Sequence, residues 1–578
     1  VGYVTPEERP VPVATVVELI QGSAGVAENG QGGRFQAYSI RGVAGQRVQS
    51  LVAGARIVTE RRAGATASFV DPLLLSQVDV VRGPYSSYYG SSALGGVMQA
   101  VPARFDDTVV DVGYESQGDG RYARVGSGGE SWSAALAYRG AGDAETPDGE
   151  KLFSRYEQWS ATFHKSFELA SGARAELVLL PALGRDIGKP NARFPERTTI
   201  YPEENHLIGR FTLTWPESWR VDVWAHPNEL DTLNQRSSQR ETVENEAFDF
   251  GLNVQREFDL PREWVGQVGL DYFGRRDVSA TETVEIFETG EVTETTTLDG
   301  EEDETALYGS LRKGLGHVNL EIGGRYTVLG QDNVGAPSID DSAVSGFVSV
   351  GVPLGGAVEL AANLGTGLRF PGLSERFFTG ATGRGEVFAN PDLEPERSVA
   401  VDFGVRWYGQ RTFLAAYVSR NEIDDYIERV ELETGVSTFE NLTSGTIEGF
   451  ELEGSYQASD ALRLSLAGQL VEGRSEEDDP LADIAPDRIE AAAFWTHEAW
   501  LAKARWQHRF SKDDPGPGEQ AVESAEVVSA AIGYRLPNGL RITVSGSNLL
   551  DEEYLPSADD LSVPAAGRSI NLGVSWSP

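Results

Sequence analysis

The residue types that most often carry chemistry are few in this chain, and none of them is spaced for catalysis. The six histidines stand at positions 164, 206, 226, 317, 497 and 508, without an HxxxH or HxH pair, and cysteine is absent. No serine lies in a G-x-S-x-G turn, and no histidine lies near a plausible Ser–Asp pair. The sequence therefore predicts no enzyme activity, no cofactor and no metal centre built from histidine or cysteine.

An acidic run, TLDGEEDET at residues 297–305, offers several carboxylates to a divalent cation. Its spacing lacks the full pattern of a calcium-binding loop, in which oxygen ligands recur at fixed positions. We therefore interpret the run as a solvated outer loop, and the sequence leaves open whether it binds a cation.

A second unusual stretch, VDVVRGPYSSYYGSSALGGVMQAV at residues 78–101, combines glycine turns with tyrosines but has no lysine, histidine or phosphate-loop spacing. Its glycines allow positive φ angles and close backbone approach, and Pro84 presets the turn after Arg82. The three tyrosines either only pack this turn or face a ligand. The glycines of this stretch are therefore predicted to have a structural role. Whether its tyrosines also contact a ligand is left open.

The elements that position these residues are predicted to be strands. From about residue 106 onward, apolar and polar residues alternate with a period of two; in VAVDFGVRW, Val399, Val401 and Phe403 share one face, while Asp402 and Arg406 share the other. The chain has no apolar run long enough for a transmembrane helix. The net charge of −39 disfavours a nucleic-acid partner, which requires a basic face. Half-polar strands build either soluble sandwiches, propellers and lectins or membrane barrels.

The connections between strands favour the membrane barrel, since short turns such as LPNGLR alternate with long polar stretches. Roughly 22 strands of about ten residues fit between residue 106 and the C-terminus. The sequence thus predicts a 22-stranded antiparallel β-barrel at residues 106–578 and a separate domain at residues 1–105. No signal peptide is visible, so an exported protein would begin here after cleavage.

Several motifs, in order along nearly the whole chain, resemble those of the TonB-dependent outer-membrane receptors. They are YSIRGV (38–43), SLVAGARI (50–57), the glycine and tyrosine stretch at 78–101, GLRFPGLSERF (367–377), NPDLEPERS (390–398) and the C-terminal GSNLLDEEYLPS and GRSINLGVSW. The sequence departs from the family pattern at Ala53 and Asp79, where the family has Asp and Glu. The segment that docks the energy-transducing partner is expected upstream of Val1 or only partly present.

The resemblance implies an α+β plug domain inside the barrel lumen and the import of a scarce ligand driven by TonB, the inner-membrane energy-transducing complex. It also implies a bacterial outer-membrane location, with lipid and lipopolysaccharide around the barrel. In this family, plug arginines meet acids of the inner barrel wall, which here would pair Arg41 and Arg82 with Asp402, Glu451 or Glu453. We predict that these five residues lock the plug to the barrel; the alternative is separate solvated charges in a wet lumen.

Candidates for ligand contact lie at the plug apex and in the long connections: Arg34, Phe35, Arg61, Arg62, Tyr85, Arg369, Phe377, Phe378 and Arg384. A basic apex in an acidic protein would attract an anionic chelate, although the same arginines could instead only bind barrel acids. Together with the connections at 184–205 and 370–397, Arg61, Arg62 and Tyr85 are expected to line one outward-facing cavity.

The ligand itself is left open, with an iron–siderophore complex as the first candidate from the resemblance. Another metal chelate, cobalamin or a glycan are alternatives. Haem is disfavoured because no histidine lies in FFTGATGRGEVFA (377–389), between the two barrel motifs. A passive porin or an adhesin on the same barrel is the alternative of a different class, but an open pore has no use for a plug of about 105 residues.

Overall fold

A computed structural model describes residues 2–58, 67–192, 196–382, 385–442 and 444–578. In this part of the chain, 22 strands close into a barrel in which each strand is antiparallel to both of its neighbours, and the last strand pairs with the first. The preceding residues form a small mixed domain inside the lumen. The predicted all-β fold with an internal plug is therefore confirmed. No helix within the described residues is long and apolar enough to cross a membrane.

The plug comprises eight strands and two short helices, and one further helix lies in an outer connection. The strands are β1 (Gly2–Val4), β2 (Val26–Gly30), β3 (Gln36–Ile40), β4 (Val43–Ala44), β5 (Val48–Val52), β6 (Ala55–Ile57), β7 (Leu75–Arg82) and β8 (Gly96–Pro102). The helices are α1 (Val16–Ile20), α2 (Ser86–Tyr89) and, in the outer connection, α3 (Leu373–Phe377). Short 3-10 turns span Pro6–Glu8, Gly33–Phe35, Gly45–Arg47, Pro72–Leu74, Gln117–Asp119 and Pro261–Glu263.

The barrel strands run in chain order around the wall. They are β9 (Val109–Glu115), β10 (Gly120–Gly129), β11 (Trp132–Ala141), β12 (Tyr156–Glu168), β13 (Arg174–Lys189), β14 (Thr198–Thr214), β15 (Trp219–Gln235), β16 (Gln239–Leu260), β17 (Trp264–Ile286), β18 (Glu291–Leu315), β19 (Val318–Asn333), β20 (Ile339–Leu354), β21 (Val358–Arg369), β24 (Glu396–Tyr408), β25 (Thr412–Asp424), β28 (Ser444–Gln457), β29 (Leu462–Ser475), β30 (Arg488–His497), β31 (Trp500–Arg509), β32 (Ala525–Arg535), β33 (Leu540–Ser547) and β34 (Ser569–Trp576). A small outer sheet contains β22 (Gly380–Thr382), β23 (Gly385–Phe388), β26 (Ile427–Glu433) and β27 (Val436–Asn441).

The alternation of the sequence sets which side chains face out of the barrel. Val399, Val401 and Phe403 on β24 are exposed on the outer surface, while Asp402 between them is buried in the lumen. Exposed aromatic residues such as Trp132 and Trp500 lie on the same outer surface near the short-turn rim. An apolar outer band edged by aromatic residues is what a lipid environment requires of a barrel wall.

The two rims of the barrel differ as the sequence predicts. At one rim, ten connections contain only two to five residues, and the turn at Asn538–Gly539 has the positive φ of +85° at its glycine. At the other rim, connections reach the length of residues 370–395 and 425–443. We call these the short-turn end and the long-loop end.

The predicted strand length of about ten residues is wrong for much of the wall. Strands β16, β17 and β18 contain 22, 23 and 25 residues, well beyond the 9–11 residues that cross a bilayer. The acidic run at 297–305 belongs to β18 and is not a loop. Its Glu302 and Glu304 point into the lumen, where Gln331 and Arg56 bind them at 2.7 and 2.8 Å. Likewise, the connection expected at 184–205 is mostly strand, because β13 extends to Lys189 and β14 begins at Thr198.

The plug is built from a five-stranded sheet in the order β1-β7-β8-β5-β6 and a three-stranded sheet β2-β3-β4. Helix α1 buries Val16, Leu19 and Ile20 against this sheet, and Thr15 caps it by accepting a hydrogen bond from the Glu18 amide. The same core includes Leu180 and Ile208 of the barrel wall. Plug and barrel therefore share one apolar core.

The backbone conformation of Gly96 leads to a testable prediction about the stability of the plug. Gly96 has a φ of +153°, and a Cβ added there would lie 2.3 Å from the Val81 carbonyl oxygen. We expect Gly96→Ala to destabilise the β7–β8 pair by at least about 1–3 kcal/mol, since backbone strain and a backbone clash act together. Hydrogen exchange of the β7 and β8 amides measures this loss. Gly335→Ala is the control, because Gly335 has a φ of +85° and no neighbour within 4 Å; equal protection in both variants would contradict the expectation.

Candidate functional site

Two plug arginines meet three acids of the barrel wall deep in the lumen. Arg41 binds Asp402, and its Nε donates to Glu451 Oε1 at 2.5 Å. Arg82 Nη1 lies 2.8 Å from Glu451 Oε2, and its Nη2 lies 3.3 Å from Glu453 Oε1. Glu451 thus bridges both arginines. All five residues expected from the sequence are in one cluster, whose role as a lock stays a prediction.

The backbone explains why these groups converge. Strands β24 and β28 lie on either side of β25, so Asp402 and Glu451 project into the lumen from two strands that are separated by a single strand. Arg41 has a positive φ of +53° at the turn after β3, and its amide donates to the Gly25 carbonyl at 2.7 Å. Gly25 itself cannot carry a side chain without change, since a Cβ there would lie 2.5 Å from Glu451 Oε1.

The electrostatics of the cluster favour fully charged arginines. Burial alone would lower the pKa of Arg41, but the carboxylates of Glu451 and Asp402 outweigh it and raise that pKa above its usual value. For Arg82, burial likewise opposes the charge, and Glu451 and Glu453 raise the pKa. Removing one carboxylate would leave a buried arginine without full compensation, which is costly.

Further ion pairs join plug and wall, and the sequence had not indicated Arg47, Glu396, Asp71 or Arg139 as part of such contacts. Arg47 binds Glu396 at 2.8 Å, and Glu396 also binds Arg369 at 2.6 Å. On the other side of the lumen, Asp71 of the plug binds Arg139 of β11 at 3.1 Å. Glu396 lies in the NPDLEPERS motif, which is the one feature of the sequence that could have indicated its role. The pairing partners come from distant parts of the chain and left no local signal.

The structure places several of the candidate ligand residues in structural contacts. Arg369 is 2% exposed, and Glu396 and Glu375 occupy its donor groups. Phe378 is also 2% exposed and packs, together with Phe377, in an apolar cluster against β16, β17 and β18. Arg34 is buried, contacts the Ser68 carbonyl and lies 4.4 Å from the ring centroid of Tyr156. Burial limits what Arg369 and Phe378 can offer to a ligand in this conformation.

Of the remaining candidates, the structure describes the side chain of Tyr85 alone, so the single outward-facing cavity stays a prediction. Tyr85 lines a cavity of about 470 Å³ with Glu263 and Lys313, at the short-turn end, and its contact with a ligand stays a prediction. Helix α2 packs along β19–β21, and its first residue, Ser86, hydrogen-bonds the backbone of Leu368 near the outer end of β21. Arg61, Arg62 and Arg384 lie outside the described residues, and for Phe35 only the backbone, in a 3-10 turn, is described.

The two connections proposed for that cavity also separate. Pro190 lines a cavity of about 340 Å³ beside the plug, whereas Phe370 and Pro371 line a cavity of about 40 Å³ next to plug residues Gln46 and Gln49. The small outer sheet of β22, β23, β27 and β26 contacts both the plug and the wall at β16–β18. Arg47 binds the Ile427 carbonyl at one side, and Val387 packs on β16–β18 at the other. The long connections therefore cover part of the lumen.

The structure also brings together two histidines that look isolated in the sequence. His206 of β14 and His226 of β15 are stacked, with Nδ1 of His206 3.0 Å from Nε2 of His226. Both are buried, and Phe69 of the plug stacks on His206 at 3.8 Å between ring centroids. A search for HxH or HxxxH patterns does not find this pair, because the two histidines are neighbours across a hairpin and not along one strand. The pair is a polar contact within the barrel wall, and the plug packs the ring of Phe69 against it.

Comparison with known protein families identifies the class to which this architecture belongs. Residues 104–549 match the model of the TonB-dependent receptor-like β-barrel, and residues 7–97 match that of the TonB-dependent receptor plug domain. The chain therefore belongs to the TonB-dependent receptors, which bind small ligands and interact with TonB. The fold of this family is characteristic of the outer membrane, and its relatives are transporters and receptors.

Individual relatives are distant in sequence but close in fold. The vitamin B12 transporter BtuB of Vibrio vulnificus is 22% identical over 94% of this chain and 86% of its own. The solved structure of the copper transporter OprC matches with a TM-score of 0.85 at 18% identity, covering 100% of this chain and 98% of that one. The iron transporter FrpB of Neisseria meningitidis matches with a TM-score of 0.78 at 14% identity, covering 99% and 98%.

Proposed function

We propose that this receptor imports a metal chelate into the periplasm, with an iron–siderophore complex as the first candidate, and that TonB drives the step. The observation that carries the proposal is a plug seated inside a closed barrel and joined to its wall by buried ion pairs at Arg41, Arg82, Arg47 and Asp71. A plug held in this way obstructs passive flow, so transport requires a step that displaces it.

The chemical class of the ligand is inferred from the names of similar proteins, which is weaker support than the geometry of the plug. Solved structures with the same fold include transporters whose names specify copper and iron, and receptors whose names specify siderophores and haem. The relative from Vibrio vulnificus, which covers 94% of this chain, is named for vitamin B12, itself a metal chelate. A metal, named alone or within a chelate, is what these names share, and we propose the chelate as the form that is bound. Cobalamin, another chelate or a glycan remain the alternatives to a siderophore.

The site that we propose for the ligand lies at the long-loop end. It includes the plug apex with Arg61 and Arg62, the outer sheet and the connection containing Arg384. Aromatic and guanidinium groups there would hold a rigid anionic chelate by stacking and charge. The apolar outer band of the barrel would contact membrane lipid, and the long strands above it would stand among lipopolysaccharide.

Binding of an iron–siderophore to intact cells tests this assignment. We expect the double change Arg61→Ala and Arg62→Ala to weaken binding by at least about tenfold, because a lost hydrogen bond to a charged group costs about 1.5–3 kcal/mol. The measurement is equilibrium binding of radiolabelled iron chelates to cells grown without iron. Arg312→Ala is the control, since Arg312 is half exposed at the short-turn end. Unchanged affinity in the double variant would reject this site.

A panel of ligands separates the chelates from one another. The same cells are exposed to ferric siderophores, cobalamin and a copper chelate, each at matched concentration. Saturable uptake of a siderophore alone supports the first candidate. Uptake of cobalamin or the copper chelate alone would replace it, while leaving the importer class intact.

A further inference from the structure

Arg9 is a buried arginine whose charge has no carboxylate partner. It is 9% exposed, and its Nε donates to the Leu19 carbonyl at 2.8 Å, with Nη2 on the same oxygen. No carboxylate of the described residues lies within the 4.0 Å of an ion pair from it. Burial, and next the positive charge of Arg505, lower the pKa of Arg9 to about 9. A buried guanidinium in this state is unusual, because buried charges are normally paired.

The barrel wall beside Arg9 adds positive charge. Arg505 of β31 binds Glu490 of β30 at 2.5 Å, and Arg488 uses its guanidinium on backbone carbonyls of the plug, at Ser23 and Val26. Three guanidinium groups therefore lie close together, and the carboxylates whose charge acts on them are those of Glu490, Glu28 and, for Arg9, Glu8. This concentration of positive charge is local, since the protein as a whole carries a net charge of −39.

Two hydrogen-bond donors next to Arg9 are also unsatisfied. Nε of Arg505 and Nε2 of Gln507 are buried and make no hydrogen bond with any residue that the structure describes. Gln507 is only 3% exposed. The two residues lie two positions apart on β31, so both side chains project into the lumen. Buried donors without acceptors are rare in folded proteins, and several of them together indicate a missing acceptor.

These donors line space that a ligand can enter. Arg9, Arg505 and Gln507 all line the cavity of about 340 Å³ beside the plug, which extends to Pro190 and Val563 in the outer connections. Arg9 and Arg505 also line a second cavity of about 270 Å³, which extends to Arg463 near the short-turn end. Because a water molecule takes about 30 Å³ of liquid, each cavity has room for a small ion and its hydration.

We propose that Arg9, Arg505 and Gln507 form a binding site for a small oxyanion of the carboxylate or phosphate class, where the two cavities meet. The guanidinium of Arg9 supplies the charge, and a planar guanidinium fits the oxygens of such anions. Arg505 Nε and Gln507 Nε2 supply the missing donors. The site is separate from the outer ligand site and does not depend on which chelate the receptor imports.

Crystals of the full chain soaked with selenate or bromoacetate test the site directly. Selenate represents free inorganic phosphate, and bromoacetate represents the carboxylate of an organic molecule; the anion that binds at lower concentration identifies the source. We expect an anomalous peak within hydrogen-bond distance of Arg9 in the native protein and none in Arg9→Gln. The control is Arg463→Gln, which changes a half-exposed arginine of the second cavity. No peak in the native protein, or an equal peak in Arg9→Gln, overturns the proposal.

Thermal unfolding in detergent gives the same test in solution, since a ligand that binds only the folded state stabilises it. We expect selenate to raise the melting temperature of the native protein and of Arg463→Gln, with at least about tenfold weaker binding in Arg9→Gln. Gln507→Leu serves if Arg9→Gln does not fold, and it should weaken selenate binding several-fold. Equal stabilisation of Gln507→Leu and the native protein would exclude its donor from the site.

Discussion

Uptake of the bound ligand will fall at least about a hundredfold in cells whose TonB complex is inactivated, while binding at the cell surface stays unchanged. The reason is the attachment of the plug. Breaking one buried ion-pair network costs about 3–5 kcal/mol, and 3 kcal/mol already corresponds to more than about a hundredfold in rate. The described plug makes such contacts with Glu451, Glu396 and Arg139 of the barrel wall. Spontaneous displacement is therefore too slow to support transport.

The measurement compares surface binding and accumulation of the same radiolabelled ligand in isogenic cells with and without the TonB complex. Uptake of a sugar through an unrelated porin is the control for general damage to the envelope. Accumulation that is independent of the complex would identify a passive pore and reject the importer. Loss of both binding and accumulation would show instead that the receptor was not correctly inserted.

Glu451→Gln will loosen the plug more than any other single change in the lumen cluster. Glu451 is 1% exposed and bridges Arg41 and Arg82, so the variant leaves two buried guanidinium groups short of a carboxylate. We expect a loss of about 3–5 kcal/mol in the stability of the seated plug. The measurement is hydrogen exchange of the amides in β3, which ends just before Arg41, and in β7, which ends at Arg82. Conductance of the purified protein in planar bilayers should rise as well.

The matched control lies three residues away on the same strand. Glu448 of β28 is exposed and binds the exposed Arg420 at 2.5 Å, so Glu448→Gln should change stability by no more than about 1 kcal/mol. The two variants make the same chemical change on opposite faces of the strand. Equal hydrogen exchange in both would show that the lumen ion pairs do not hold the plug, and the lock would be rejected.

The sequence by itself predicts the faces of the barrel strands. Alternation at Val399–Trp407 separates lipid-facing from lumen-facing residues, and the same period places Glu451 and Glu453 together on the lumen side. This works because a strand turns successive side chains to opposite faces whatever its neighbours are. The short turns are equally local, since the positive φ at Gly539 is a property of the Asn–Gly turn.

Only the tertiary structure decides which of these faces meet. His206 and His226 become partners through the offset of the β14–β15 hairpin, and the acidic run at 297–305 becomes part of a long strand because plug and wall arginines compensate Glu304. Tyr85 lies toward the short-turn end because of how the plug is oriented in the barrel. Alternation fixes the face of a residue, but strand offset and plug orientation depend on burying charges and apolar groups from distant segments together. That is a property of the whole packed molecule, and no local stretch of sequence encodes it.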